Sequence, residues 1–258
     1  MMFMTIMSKL DPSTPRRTSP TTSTAPASAQ IAVDRAIADL RRGGMVILRD
    51  TDQHSAVIVQ AAEMATHDSL RMLMGLTGSH PTVALTRNRA MALKAAPAAT
   101  TVQSLVLPMG TDADLVRQIA DPTFDVDSDQ ETPDRPDISG LPIIPESEEG
   151  LAHMAVQLVK YARLLPAVLF ARTSALDVER LSKWSRDIGL LLVQTGDIKA
   201  FPSLRAQRLV QAAAARVPLS DAENARLVAF RPLDGGEEHV AIVIGEPNVG
   251  APVLIRLH

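Results

Sequence analysis

Eight consecutive residues, Arg49-Asp50-Thr51-Asp52-Gln53-His54-Ser55-Ala56, place two carboxylates, a guanidinium and an imidazole in one short stretch. Acid–base and metal chemistry need charged groups within bonding reach, so what stands here decides what the chain can do. The flanking sequence supplies a support. Val33, Ala36, Ile37 and Leu40 fall on one face of an amphipathic helix, Gly43-Gly44 stops it, and Met45 to Leu48 reads as an apolar strand. The stretch is therefore expected as a loop just past the carboxyl end of a strand, where α/β enzymes display reacting groups.

Three other places could carry chemistry. Arg87 and Arg89, on a short helix after the strand Thr82–Thr86, read either as a phosphate clamp or as the solvated face of that helix. Residues 121–150 hold ten acidic residues, one arginine and five prolines. Because the acids from Asp121 to Asp134 have only Phe124 and Val126 among them to anchor a fold, a solvated loop is expected there and not a metal site. His153 is either a ligand or a hydrogen-bonded or exposed structural histidine, and with no second ligand assured nearby the structural reading is expected.

The elements that would position these groups alternate. Ala56–Val59 reads as a strand, and Thr66 as the cap of a helix with Leu70, Leu73 and Met74 on its apolar face. Val102–Leu107 is a strand, and Thr111 with Asp114 suggests a capping box for a helix ending near Ala120. Leu151–Leu165 is the longest amphipathic segment, ended by Pro166 and followed by a buried strand, 167–171. Ser174 and Asp177 suggest a second capping box for a helix through Trp184 and Ile188 that Gly189 ends, with a strand at 190–194. This order implies an α/β fold with a parallel or mixed sheet covered by helices. From Arg208 the pattern alternates at 227–230, 240–244 and 253–257, with turns at Asp234-Gly235-Gly236 and Glu246-Pro247-Asn248, as in antiparallel strands. Residues 11–30 contain thirteen Pro, Ser or Thr and no hydrophobic residue larger than Ala. Residues 1–30 therefore read as a disordered tail.

Composition excludes several classes. A net charge of -3 and a pI near 6.1 give no general attraction to nucleic acid or anionic membrane. Zero cysteines exclude disulfides, thiolate nucleophiles and cysteine-ligated zinc within these 258 residues. No apolar run approaches the ~20 residues of a membrane span, and seven aromatics are too few for base-stacking platforms. A cytoplasmic location is expected.

The segments "AIADLRRGGMVILRDTDQ", "AAEMAT" and "VALTRNRAMAL" resemble the opening of 3,4-dihydroxy-2-butanone 4-phosphate synthase, the riboflavin-pathway enzyme that rearranges ribulose 5-phosphate with a divalent metal. That resemblance implies a loop close to D-D-E-D-R-E-N-E-G-D whose carboxylates hold the metal and move protons. Asp50 and Asp52 are kept, while Thr51, Gln53, His54 and Ala56 depart from the pattern. The family's substrate-phosphate motif, R-P-G-H-x-F-P-L, has only "ISGLPIIP" near its place. Aligned without gaps from Pro166, the family's histidine falls on Leu151, its metal-binding glutamate on His153 and its strand-end glutamate on Arg172. The final segment, with "DGGEEHVAIVIG", is similar to the beginning of GTP cyclohydrolase II, in which R-V-H-S-E-C opens the nucleotide-binding segment and later cysteines hold zinc. Arg256-Leu257-His258 matches the first three of those positions.

The resemblance therefore implies a degenerate synthase-like domain at 31–200, then the first strands of a truncated cyclohydrolase domain at 208–258. Its order matches fused riboflavin enzymes. Arg256, Leu257 and His258 are the candidate substrate-binding residues, with no catalytic residue and no metal or other cofactor site in the chain itself. GTP is the expected ligand of the complete family enzyme, zinc its expected metal, and a homodimer is possible. Three readings stand: the N-terminal part of a GTP cyclohydrolase II, a stand-alone structural or regulatory pseudoenzyme, and a working synthase with unusual ligands.

Overall fold

A computed structural model describes residues 3–4, 24–50, 55–95, 99–125, 136–173, 178–232, 236–248 and 250–257. They form two compact units, one of residues 25–201 and one of residues 1–24 with 202–258. Among the described residues no helix is long and apolar enough to cross a membrane.

The chain begins with a two-residue strand β1 (Phe3–Met4) and a helix α1 (Thr24–Arg41). Residues 24–30 are thus helical where a disordered tail was expected, and Phe3–Met4 is a strand. Residues 5–23 of that tail lie outside the described residues. In α1, Val33, Ala36 and Leu40 are fully buried, as their 3–4 spacing requires. The helix closes with a Schellman arrangement: Gly43 (φ 78°) donates to Leu40 O at 3.0 Å and Gly44 to Asp39 O at 2.8 Å.

The large unit is built on a seven-stranded sheet of β2 (Val46–Asp50), β3 (Ser55–Ala61), β4 (Thr82–Thr86), β5 (Val102–Val106), β6 (Ile143–Pro145), β7 (Ala167–Arg172) and β8 (Leu191–Gln194). The spatial order is β6-β5-β4-β7-β3-β2-β8. Every neighbouring pair is antiparallel except β2 with β8, so the sheet is mixed and mainly antiparallel. The helices are α2 (His67–Thr77), α3 (Arg87–Ala92), α4 (Ala113–Ala120), α5 (Leu151–Tyr161), α6 (Val178–Asp187) and α7 (Thr195–Gln207).

Alternation along the strands separates two cores. Val46, Leu48, Val57, Val59 and Phe170 face α1 and α5, and Ile198 and Phe201 of α7 join that cluster. Ile47, Ile58, Val83, Leu85, Leu105 and Leu169 face Leu70 and Leu73 of α2, Val116 and Ile119 of α4 and Leu181 of α6.

Thr66 caps α2 as its sequence suggests, in a reciprocal box with Ser69. The cap of α4 differs: Asp112 accepts from the Asp114 amide at 2.8 Å, while Thr111 Oγ1 donates back to Pro108 O at 2.7 Å. The Ser174–Asp177 box lies outside the described residues, and Gly189 (φ 72°) does end the α6 segment. Helix α5 stops at Tyr161, four residues before the expected end, because Arg163 (φ 58°) turns the chain left-handed and donates to Lys160 O. Helix α7 lacked an apolar period to reveal it, and Pro202 lies inside it.

The second unit holds a sheet ordered β1-β11-β10-β9, with β9 (Leu209–Arg216), β10 (Ala225–Pro232) and β11 (His239–Ile244) antiparallel and β1 parallel to β11. The expected strand at 253–257 is not formed; Leu254 is 84% exposed and Leu257 60%. The alanine-rich β9 supplies the third antiparallel strand instead.

Candidate functional site

The eight-residue stretch divides between strand and turn. Arg49 and Asp50 are the last residues of β2 and are buried, Ser55 opposite Asp50 begins β3, and residues 51–54 lie outside the described residues. Arg49 and Asp50 are thus in strand and not in a loop, because the β2–β3 ladder runs to its last rung. Arg172, at the end of β7, pairs with Val57 of β3. Pleating puts Asp50, Val57 and Arg172 on the face that carries Leu48 and Phe170. Asp50 and Arg172 therefore share one face at one end of the sheet.

Beside them lies a cleft of about 210 Å³ lined by Ser79, His80, Thr82, Val106, Ile144, Glu146, Phe170 and Arg172. Register explains the gathering: Thr82 stands opposite both Val106 and Phe170, so three strand ends converge. Gly78 in the left-handed conformation ends α2 and turns Ser79 and His80 onto the rim, where Ser79 Oγ donates to Arg172 O at 2.9 Å. His80 Nδ1 lies 3.2 Å from Leu107 O. A carbonyl only accepts, so Nδ1 carries the proton and Nε2 is left as the ring's second nitrogen. Glu146 is 8% exposed, reached by continuing the β6 ladder through its amide to Val102 O.

His153 is at the other end. It bonds Thr101, which precedes β5, whereas Val106 of the cleft ends that strand; of the cleft residues Glu146, bonded through its amide to Val102 O, lies toward the His153 end. Gln157 Nε2 donates to His153 Nε2 at 3.2 Å, so Nδ1 donates to Thr101 Oγ1, also at 3.2 Å. Burial, ahead of the field of Glu148, lowers its pKa below the usual histidine value. It is the neutral, hydrogen-bonded structural histidine that its isolation suggested. Leu151, at the first turn of α5, is buried in the core. Helix α5 packs on the same face as Phe170, but His153 lies at the end of the sheet away from Arg172.

Arg89 fits neither reading of the arginine pair. It is 8% exposed, donates to Ile119 O at 2.8 Å, Gln118 O at 3.0 Å and Asp121 O at 3.2 Å, and pairs with Asp125. The guanidinium caps the carboxyl end of α4. Arg87 is the exposed member. Arg256 and Leu257 are exposed, and His258 lies outside the described residues. Among the described residues no three His, Asp or Glu side chains cluster as a metal site would require.

The mixed α/β fold matches solved structures. The cation-free form of 3,4-dihydroxy-2-butanone 4-phosphate synthase superposes with a TM-score of 0.54 at 16% identity, covering 66% of this chain and 96% of that one. The chain contains the dihydroxybutanone phosphate synthase fold. By sequence it is 40% identical over 231 residues to GTP cyclohydrolase-2 of Azospirillum brasilense, covering 90% of this chain and 58% of the relative. It is 25% identical over 255 residues to the riboflavin biosynthesis protein RibBA of Phocaeicola vulgatus, covering 88% of this chain and 62% of that protein. The chain thus spans about six-tenths of the length of these curated relatives. No protein-family model matches it.

The cleft residues escaped the sequence reading. Ser79-His80 follows a helix-ending glycine, which is a detectable signal. Glu146 stood among ten acids and nothing local marked it as buried.

Proposed function

We propose that this chain is the N-terminal portion of a GTP cyclohydrolase II-type riboflavin-biosynthesis protein, whose synthase-fold unit no longer performs synthase chemistry. The observation that carries the reading is the conjunction of a 40% identical relative named GTP cyclohydrolase-2 with a synthase fold in the same 258 residues. In such a protein the synthase-fold unit precedes the cyclohydrolase strands. In the complete protein GTP is the substrate, opened to a diaminopyrimidine phosphate, formate and pyrophosphate; Arg256, Leu257 and His258 contribute to its nucleotide segment, and zinc is held by cysteines this chain does not contain.

Loss of synthase activity is supported by the donor set. A hard divalent cation takes carboxylate and carbonyl oxygens. Here a guanidinium stands at Arg172, Leu151 is apolar, and both ring nitrogens of His153 are engaged with Thr101 and Gln157. These residues do not fit the family's metal. Among the described residues the cleft offers His80 and Glu146 as acid–base groups, and Asp50 at the end of β2 already has a partner.

Two assays on one pair of proteins test this. The 258-residue chain is expected to leave ribulose 5-phosphate unchanged with magnesium and GTP unchanged with zinc. A chimera in which it replaces the matching portion of the Azospirillum relative is expected to release formate from GTP. Magnesium-dependent formation of dihydroxybutanone phosphate above a no-protein control would overturn the loss of synthase chemistry. A folded chimera without GTP turnover would overturn the cyclohydrolase assignment.

A further inference from the structure

The cleft at the strand ends contains polar groups that the fold leaves unanswered. Glu146 Oε1 is buried with no hydrogen-bond partner among the described residues. Ser104, fully buried and paired in register with Ile144 of the cleft wall, has an Oγ in the same condition. Buried acceptors are normally satisfied, and a carboxylate oxygen held out of water without a donor is costly. Across the cleft Arg172 is exposed, and its guanidinium forms no ion pair among the described residues. Between them Val106, Ile144 and Phe170 give an apolar floor, with Thr82 and His80 at the side. Arg172 and Glu146 thus both line one small cavity with an apolar floor.

We propose that this cleft binds a small molecule carrying an anionic group, held by Arg172, and an ammonium or hydroxyl donor, held by Glu146. A planar guanidinium suits carboxylate and phosphate alike, so the anion is of either kind. The donor restores to Glu146 the hydrogen bond that folding removes. The ligand is bound and not turned over, which rests on the loss of synthase chemistry argued above. It places a recognition site on a unit that is otherwise only a scaffold.

The test titrates the isotopically labelled 258-residue chain with O-phosphoethanolamine, glycerol 3-phosphate and β-alanine, using inorganic phosphate and ethanolamine as half-ligands. At least one bifunctional probe is expected to shift the amides of Ser79, His80, Ile144 and Arg172 saturably, about tenfold more tightly than either half-ligand. Which probe does so distinguishes phosphate from carboxylate. Arg172→Ala is expected to abolish binding of every anion. Glu146→Gln is expected to reduce the bifunctional probe to the affinity of inorganic phosphate while leaving phosphate itself unchanged. If no bifunctional probe shifts the wild-type amides, or none binds more tightly than its half-ligands, the proposal is wrong. It is equally wrong if either variant keeps a dispersed spectrum and binds like wild type. Should Arg172→Ala not fold, the wild-type shift map and Glu146→Gln decide. Turnover of ribulose 5-phosphate would overturn the catalytic reading without touching these binding outcomes.

Discussion

Arg89 shows how little a residue type reveals before its neighbours are known. Four donor contacts and an ion pair hold it against α4, which begins 24 residues further along the chain. Truncation would leave Asp125, itself 13% exposed, without its partner, together with orphaned helix carbonyls. Arg89→Ala is expected to destabilise the protein by about 3–5 kcal/mol. Arg89→Lys keeps the charge but not the fork, and should cost about 1–3 kcal/mol. Urea midpoints at constant m-value measure both, and a cost below ~1 kcal/mol for the alanine variant would contradict the clamp. His153 makes the complementary case through pH. Its folded pKa lies below that of the unfolded chain, so the unfolded state binds more protons as pH falls from about 6.5. Stability is full above that value and declines below it, the loss being complete once pH drops under the folded pKa. His153→Gln should flatten the stability curve between pH 7 and pH 5, and an unchanged slope would show that other groups titrate there. A lone histidine on an apolar face was legible as structural. Glu146 was not legible, since its burial depends on β6 meeting β5 some forty residues earlier in the chain.

At the scale of elements, termination signals read well where glycine supplied them and poorly where another residue took the same conformation. Gly43, Gly78 and Gly189 all adopt positive φ at helix ends. Lys94 (φ 60°) closes α3 in the same way, with its amide on Met91 O and that of Ala95 on Ala90 O, each at 2.9 Å. A left-handed non-glycine residue costs about 1–2 kcal/mol, part of which glycine returns through its freer unfolded chain. Lys94→Gly, at an exposed position, should raise stability by up to ~1 kcal/mol; a lowered melting temperature would refute the argument. Gly44→Ala should act oppositely, because a Cβ there would lie 2.9 Å from Asp39 O, a backbone atom that cannot move without unwinding the cap of α1. About 1–3 kcal/mol of destabilisation is expected. Helix α7 and strand β9 were invisible for different reasons. Residues 195–207 lack an apolar stripe, and Pro202 within them argues against a helix. The alanines of β9 prefer a helix in isolation, yet here they pair with β10. The expected strand 253–257 alternates correctly, yet among the described residues it forms no ladder and only Leu257 takes part in a bridge.

The two units differ in how much they can hold together alone. Residues 25–201 bury two apolar layers on opposite faces of one sheet, whereas the apolar cluster of the smaller unit, among the described residues, is Val228, Ala241 and Val243 with Phe230 packed against them, and Ala225 is buried on the same sheet. Cooperative folding needs buried apolar area sufficient to exceed the conformational entropy lost, and so small a cluster of short side chains on a four-stranded sheet falls short of that. A fragment covering residues 25–207, which retains all of α7, should therefore unfold in one cooperative transition followed by Trp184, with a midpoint close to that of the whole chain. Residues 202–258 alone should show no such transition. They should also associate, since β9 at the sheet edge leaves its outer backbone groups unpaired and Val210 is 48% exposed. Urea melts of the two fragments, read by circular dichroism and by Trp184 fluorescence for the larger one, decide the matter. If the larger fragment melted gradually, or bound a hydrophobic dye in the absence of denaturant, the small sheet would be part of the large unit's stability, and removing it could not be used to study the synthase fold by itself.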